Sequence, residues 1–276
     1  MSHWYIGGRL FGEDHPQWET LEPWPRTKAG LRAKRVSWTD RLAAGLKPSV
    51  TTWLSAIKGD SVDGLMGFST KIGRDVGMCM TDRWPYEMRE QECAKTYFWA
   101  EYRKRRDEYS ETGTRIHRVI EDYLKGNVKG NDIEMGVVEA RAATNAYGFL
   151  LEHDIYEAGA AEYVVEGTDY AGTVDWHVPR MQTIVDWKTI RHGEGKPVRK
   201  PYPSELAQVA AYWHALYDEP FTGEGWPACC VYISQRTGEI LNVAWWTKED
   251  IACGMKLFRL GQDVTRMLKM IEATFS

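Results

Sequence analysis

Apolar positions along the chain recur first at helical spacing and later at alternating spacing. Residues 1–47 show neither pattern: Gly7-Gly8, Pro16, Pro23, Pro25 and Gly30 interrupt scattered tryptophans, which predicts an irregular arm. Pro48-Ser49-Val50-Thr51-Thr52-Trp53-Leu54 opens a helix with Ser49 or Thr51 near its cap. Residues 82–106 read as a helix rich in charge and aromatics. Residues 112–124 read as a further helix with the stripe Ile116, Val119, Ile120, Tyr123 and Leu124, stopped by Gly126. Residues 134–153 follow as another, through Val137, Val138, Ala142, Ala146, Phe149 and Leu150. The period then shortens to two. Residues 161–166, 172–178 and 183–187 predict a strand meander, punctuated by Gly167-Thr168-Asp169 and Pro179-Arg180. A basic loop at 191–200 leads into a helix at 204–217. Two strands, 228–234 and 239–246, form a hairpin around Gln235-Arg236-Thr237-Gly238, and Thr247 caps a last helix that reaches residue 273. This order predicts a mixed α/β domain with no internal repeat.

Composition narrows the class. The chain has 276 residues, 43% apolar and 27% charged, which excludes a disordered, collagen-like or coiled-coil polypeptide. No apolar run approaches the ~18 residues of a membrane span. Residues 1–13 lack the basic start and apolar core of a secretory signal. Five cysteines, Cys79, Cys93, Cys229, Cys230 and Cys253, include no C-x-x-C, which argues against a disulfide framework or a four-thiolate metal site. A cytoplasmic protein is expected.

Charge redirects attention to local features. Lysine and arginine number 35 against 39 acids, so total charge does not attract nucleic acid, but local grooves remain open. Basic clusters stand at Arg32, Lys34 and Arg35, at Arg103, Lys104, Arg105 and Arg106, and in the loop with Arg191, Lys196, Arg199 and Lys200. The 13 Trp, 14 Tyr and 7 Phe are mostly expected in the core. Tyr97, Trp99 and Tyr102 sit beside a basic run and are candidates to stack on nucleobases.

Candidate chemistry lies in Gly172-Thr173-Val174-Asp175-Trp176 and Ile184-Val185-Asp186-Trp187-Lys188. Asp186 and Lys188 share a strand face, and Asp175 meets Asp186 if the two strands pair. Two such carboxylates repel unless a cation lies between them, and oxygen ligands suit Mg²⁺ or Mn²⁺. Strand-end surface acids would give the same pattern, so these residues alone leave both readings open. Alternation turns Trp176 and Trp187 into the opposite, packed face. His117 and Glu121 are four apart on one helix face, as are Gln208 and Tyr212 on another.

Gly113…His117…Glu121, then Glu162, Gly172-x-x-Asp175, Asp186-x-Lys188 and Gln208-x-x-x-Tyr212, in that order, resemble the PD-(D/E)XK nuclease superfamily. The likeness is greatest to its RecB-like exonuclease branch, which includes phage exonucleases and the mitochondrial genome-maintenance exonuclease. It spans residues 48–246, and Pro48-Ser49-Val50-Thr51-Thr52 resembles the opening of the nuclease region. The resemblance implies a restriction-endonuclease-like core, a central mixed sheet flanked by helices with helical N-terminal additions. Residues 1–47 would be an arm and 48–276 the nuclease domain. It implies metal ligation by His117, Asp175, Asp186 and the carbonyl of Trp187, with Glu121 as partner of the histidine. Lys188 would be the catalytic lysine, Gln208 and Tyr212 would orient it or hold DNA, and Glu162, with Glu166 as rival, would supply a further acid. Arg103, Arg105, Arg106, Arg191, Lys196, Arg199, Lys200, Tyr97 and Tyr102 would contact DNA. The sequence departs from the pattern at Val174, where proline is nominal, and at Asp186, where Glu is more usual. It lacks the four-cysteine set of some relatives, so no iron–sulfur cluster is expected. The implied function is a Mg²⁺- or Mn²⁺-dependent DNA exonuclease with one or two ions, acting on single-stranded ends. DNA and recombination or replication proteins would be its partners, with no membrane. A structure-specific endonuclease, a silent DNA-binding module of a recombination complex and a hydrolase of small phosphoesters are the alternatives.

Overall fold

The computed structural model describes residues 4–6, 9–10, 38–54, 91–127, 136–157, 159–193, 195, 197–217, 221–223 and 225–274. Its elements, from the N-terminus, are β1 (Trp4–Ile6), β2 (Arg9–Leu10), α1 (Trp38–Ala43), β3 (Lys47–Pro48), α2 (Val50–Trp53), α3 (Gln91–Leu124) and α4 (Val137–Glu152). Then come β4 (Ala160–Glu166), β5 (Ala171–Val178), β6 (Thr183–Ile190), α5 (Pro203–Leu216), β7 (Ala228–Ser234), β8 (Ile240–Trp246) and α6 (Lys248–Thr274).

Local chemistry accounts for several boundaries. The Ser49 hydroxyl accepts from the Thr52 N–H at 3.1 Å and caps α2. Thr247 and Asp250 form a reciprocal box before α6: the Asp250 N–H donates to Thr247 Oγ1 at 3.1 Å, and the Thr247 N–H donates to Asp250 Oδ2 at 2.9 Å. Gly126 ends α3 at a φ of +71°.

Two expectations are corrected. The N-terminal 47 residues are not wholly irregular. They contain α1 and β1 and β2 of a three-stranded sheet of order β2-β1-β3, whose last strand runs on to Pro48. Strands of two or three residues carry too short a pattern to betray a period. Nor are 82–106 and 112–124 separate helices, since α3 runs unbroken for 34 residues from Gln91. Gly113 does not break it. A Cβ there would stand 2.8 Å from Thr189 Oγ1, so glycine lets α3 lie close against β6.

The main sheet has the order β4-β5-β6-β7-β8. All neighbours are antiparallel except β6 and β7, which run parallel and are joined through α5. Two apolar clusters cover its faces. Val50, Trp53, Ile184, Ala207, Ala211, Tyr232, Ile251 and Phe258 unite α2, α5 and α6 on one face. Ile116, Ile120, Ala146, Phe149, Leu150, Val185, Trp187 and Val231 unite α3 and α4 on the other. Trp176 and Trp187 are buried in the second cluster, as strand alternation predicts. The fold is therefore α/β, with a five-stranded mixed sheet between helical layers. Among the described residues no helix is long and apolar enough to cross a membrane.

The sheet is irregular at one place. β5 and β6 pair only through Trp176↔Val185, His177↔Ile184 and Val178↔Thr183. Beyond that point they fork, while β6 stays paired with β7 from Ile184 to Ile190. Val174 belongs to the α5-side cluster and Trp176 to the α3-side cluster. Residues two apart on a regular strand share a face, so β5 turns over at Asp175.

Gly113→Val should push α3 away from Thr189 and lower stability by about 1–3 kcal/mol. A denaturant titration checks this, and an unchanged midpoint would remove the close-approach explanation.

Candidate active site

Asp175 and Asp186 are the first residues beyond the fork, one on each branch. Where β5 leaves β6, the Trp187 N–H donates to Asp175 Oδ2 at 2.7 Å. A carboxylate thus takes the place of a strand partner. His117 comes from α3 on one side of the sheet, with Nδ1 3.8 Å from Asp175 Oδ2. From the other side come Gln208 and Tyr212 of α5. Lys188 Nζ lies 2.5 Å from Asp186 Oδ2 and donates to Gln208 Oε1 at 3.0 Å. The Gln208 amide nitrogen reaches Asp186 Oδ1 at 3.4 Å and Tyr212 OH at 3.0 Å. Gln208 therefore holds both members of the ion pair and is itself braced by Tyr212. At Gly172 a Cβ would fall 2.4 Å from the Tyr212 ring, so that position must be bare for α5 to approach β5.

The electrostatics are unbalanced toward negative charge. Asp186 is only 3% exposed. Burial, reinforced by Asp175, raises its pKa in spite of Lys188. Burial would lower the pKa of Lys188, but Asp186 outweighs it and the lysine is held protonated. His117 behaves alike: burial opposes its charge, Asp175 favours it, and the net shift is upward. Glu162 on β4 is pushed up to about 7 by burial and by the charges of Asp175 and Glu121. Its φ of +52° is rare for a residue with a side chain. Glu121 pairs with Lys125 at 2.5 Å.

Other expected residues fall elsewhere. Arg199 forms a two-pronged pair with Glu205, at 3.1 and 2.5 Å, and stacks over Tyr202. It anchors the basic loop to the start of α5, and its charge is spent on a buried acid. Arg191 donates to the Tyr109 hydroxyl of α3 and stacks on its ring. The loop is thus tied at both ends, and Lys200 is left exposed. Glu166, the rival to Glu162, pairs with Lys47 at 2.7 Å. Arg32, Lys34, Arg35, Lys196 and the side chains of Tyr97, Trp99, Tyr102, Arg103, Arg105 and Arg106 lie outside the described residues.

Sequence reasoning missed Cys230 and Tyr5. Cys230 is the parallel-register partner of Asp186, and its Sγ lies 3.9 Å from Asp186 Oδ2. Only the strand order, with β7 beside β6, could reveal it. Tyr5 hydrogen-bonds Thr173, two residues ahead of Asp175, and nothing in its local pattern signals that.

Compared with models of known protein families and with curated proteins, the chain matches none. Among the described residues no three His, Cys, Asp or Glu side chains form a group already able to hold a metal ion. The donor chemistry nevertheless suits a hard cation. His117, Asp175 and Asp186 offer nitrogen and oxygen ligands of the kind such an ion takes.

The raised Glu162 sets a pH dependence. Between the ordinary carboxyl range and about pH 7 the folded chain keeps a proton that the unfolded chain has released, so stability falls as pH rises through that window. Glu162→Gln should therefore raise the melting temperature at pH 8 and leave it nearly unchanged at pH 5. Equal shifts at both values would contradict the crowding of acids. Mn²⁺ should stabilise the wild-type chain more at pH 8 than at pH 5, as differential scanning fluorimetry can show.

Proposed function

We propose that this chain is a metal-dependent DNA exonuclease of the PD-(D/E)XK superfamily, akin to the RecB-like branch, with a restriction-endonuclease-like core. One observation carries the proposal. An Asp186–Lys188 ion pair, held by Gln208, lies at a strand fork beside an Asp175–His117 pair. A silent DNA-binding module would gain nothing from buried acids that repel phosphate.

Mg²⁺ or Mn²⁺ would be held by His117, Asp175, Asp186 and the Trp187 carbonyl, and would supply an activated water and a Lewis acid for phosphodiester hydrolysis. The chain's own residues divide the remaining work. Lys188, held protonated by Asp186 in the metal-free chain, would offer its positive charge to a phosphate oxygen. Gln208 holds the Lys188 ammonium beside Asp186, and Tyr212 fixes the amide. Asp175 holds the backbone N–H of Trp187, the residue whose carbonyl is proposed as a ligand. Lys200, exposed in the loop ahead of α5, offers a cation to a phosphate backbone. The proposed substrate is DNA with single-stranded ends, in a cytoplasmic recombination or replication setting.

End-labelled linear and circular single-stranded DNA, incubated with Mg²⁺ or Mn²⁺, test the proposal. Digestion of the linear strand alone is expected. Cutting of circles would make the chain an endonuclease, and no cutting with either ion would leave a binding module or a hydrolase of small phosphoesters. Asp186→Ala and Lys188→Ala should each reduce cleavage by about 10²-fold or more while the fold persists in circular dichroism. Robust cleavage by folded Asp186→Ala would overturn the assignment.

A further inference from the structure

β5 reaches Asp175 along a stretch that β6 does not support. Residues 171–174 lie beyond the fork and pair on one edge with β4, through Glu166↔Ala171, Val165↔Gly172, Val164↔Thr173 and Tyr163↔Val174. A strand has two edges, and at Ala171 the N-terminal segment meets the one that β6 has left. Ser49 bridges Ala171 in the parallel sense. Tyr5 OH and Thr173 Oγ1 lie 3.2 Å apart, within hydrogen-bonding distance.

The tyrosine is well fixed. It is 6% exposed, and β1 pairs with both β2 and β3 at this residue, as Tyr5↔Leu10 and Tyr5↔Lys47. Lys47 in turn holds the β4–β5 turn by pairing with Glu166 at 2.7 Å and donating to the Gly167 carbonyl at 2.9 Å. The first strand of the chain is thus tethered to the hairpin that carries Asp175.

We infer that Tyr5 is a positioning residue for the candidate site: its hydroxyl fixes Thr173 and, through the stretch of β5 that β6 has left, the carboxylate of Asp175. The arm is then part of the working unit and not only a basic appendage. This inference rests on the proposed nuclease function for its activity readout, while metal binding provides a separate one.

Tyr5→Phe removes only the hydroxyl and keeps the ring, Thr173→Val removes its partner, and Thr173→Ser retains a hydroxyl. Mn²⁺ affinity is measured by isothermal titration calorimetry, and the Mn²⁺ concentration for half-maximal DNA cleavage by end-label assay. Tyr5→Phe and Thr173→Val should each weaken both by about three- to tenfold, the double variant no more than either alone, and Thr173→Ser should stay near wild type. Melting temperatures should agree to within about 2 °C, which separates positioning from unfolding. If the wild type binds Mn²⁺ and cleaves DNA while Tyr5→Phe matches it in both, the positioning role is overturned and the nuclease assignment stands. If Tyr5→Phe and Thr173→Val lose function only in proportion to a lowered melting temperature, the role is structural and the inference fails. If the wild type neither binds Mn²⁺ nor cleaves, both fall.

Discussion

The site depends on a strand pair that stops early. β5 and β6 share three register pairs and then separate, which leaves backbone groups that a continuing ladder would have satisfied. Unpaired N–H groups in a partly buried place are costly, and here the Asp175 carboxylate takes up the Trp187 N–H. That bond fixes a charged side chain between two layers of helices. An uninterrupted antiparallel pair would instead close the gap and leave Asp175 facing one helix layer only. Because the sheet splits, α3 can present His117 from one side and α5 can present Gln208 from the other.

Charge within the gap is held in imbalance. The Asp186–Lys188 pair is taken out of water, where an ion pair is sustained only if its remaining polar atoms are also satisfied. Gln208 satisfies both partners, Tyr212 completes the chain of hydrogen bonds, and the Cys230 thiol adds a weak contact. Burial, with the charges of Asp175 and Glu121, makes Glu162 hard to ionise. Such an arrangement costs stability in the isolated chain, and the proposed cation would offset that cost. The N-terminal residues contribute from outside the main sheet, since Ser49 and Tyr5 support the part of β5 that β6 has left.

Much of this was legible along the chain, because the responsible signals are local. Alternation placed Asp186 and Lys188 on one face and sent Trp176 and Trp187 into the core; helical spacing brought Gln208 next to Tyr212. Capping chemistry at Ser49 and Thr247 and the stop at Gly126 were likewise written in short stretches. These features depend only on neighbours within four residues, where backbone geometry dictates which side chains meet.

Tertiary structure decided the rest. Gly113 breaks helices by propensity, yet α3 passes through it because β6 lies too close for a side chain. Arg199 reads as a free cation in a basic loop and is instead bound to Glu205 and stacked against Tyr202. The N-terminal strands have no period of their own and exist through pairing with one another and contact with β5. Sequence by itself determined which side chains each element offers, since that follows from backbone repeat. Which offers meet was decided by strand order, the fork and helix contact, since those depend on packing between residues far apart in the chain.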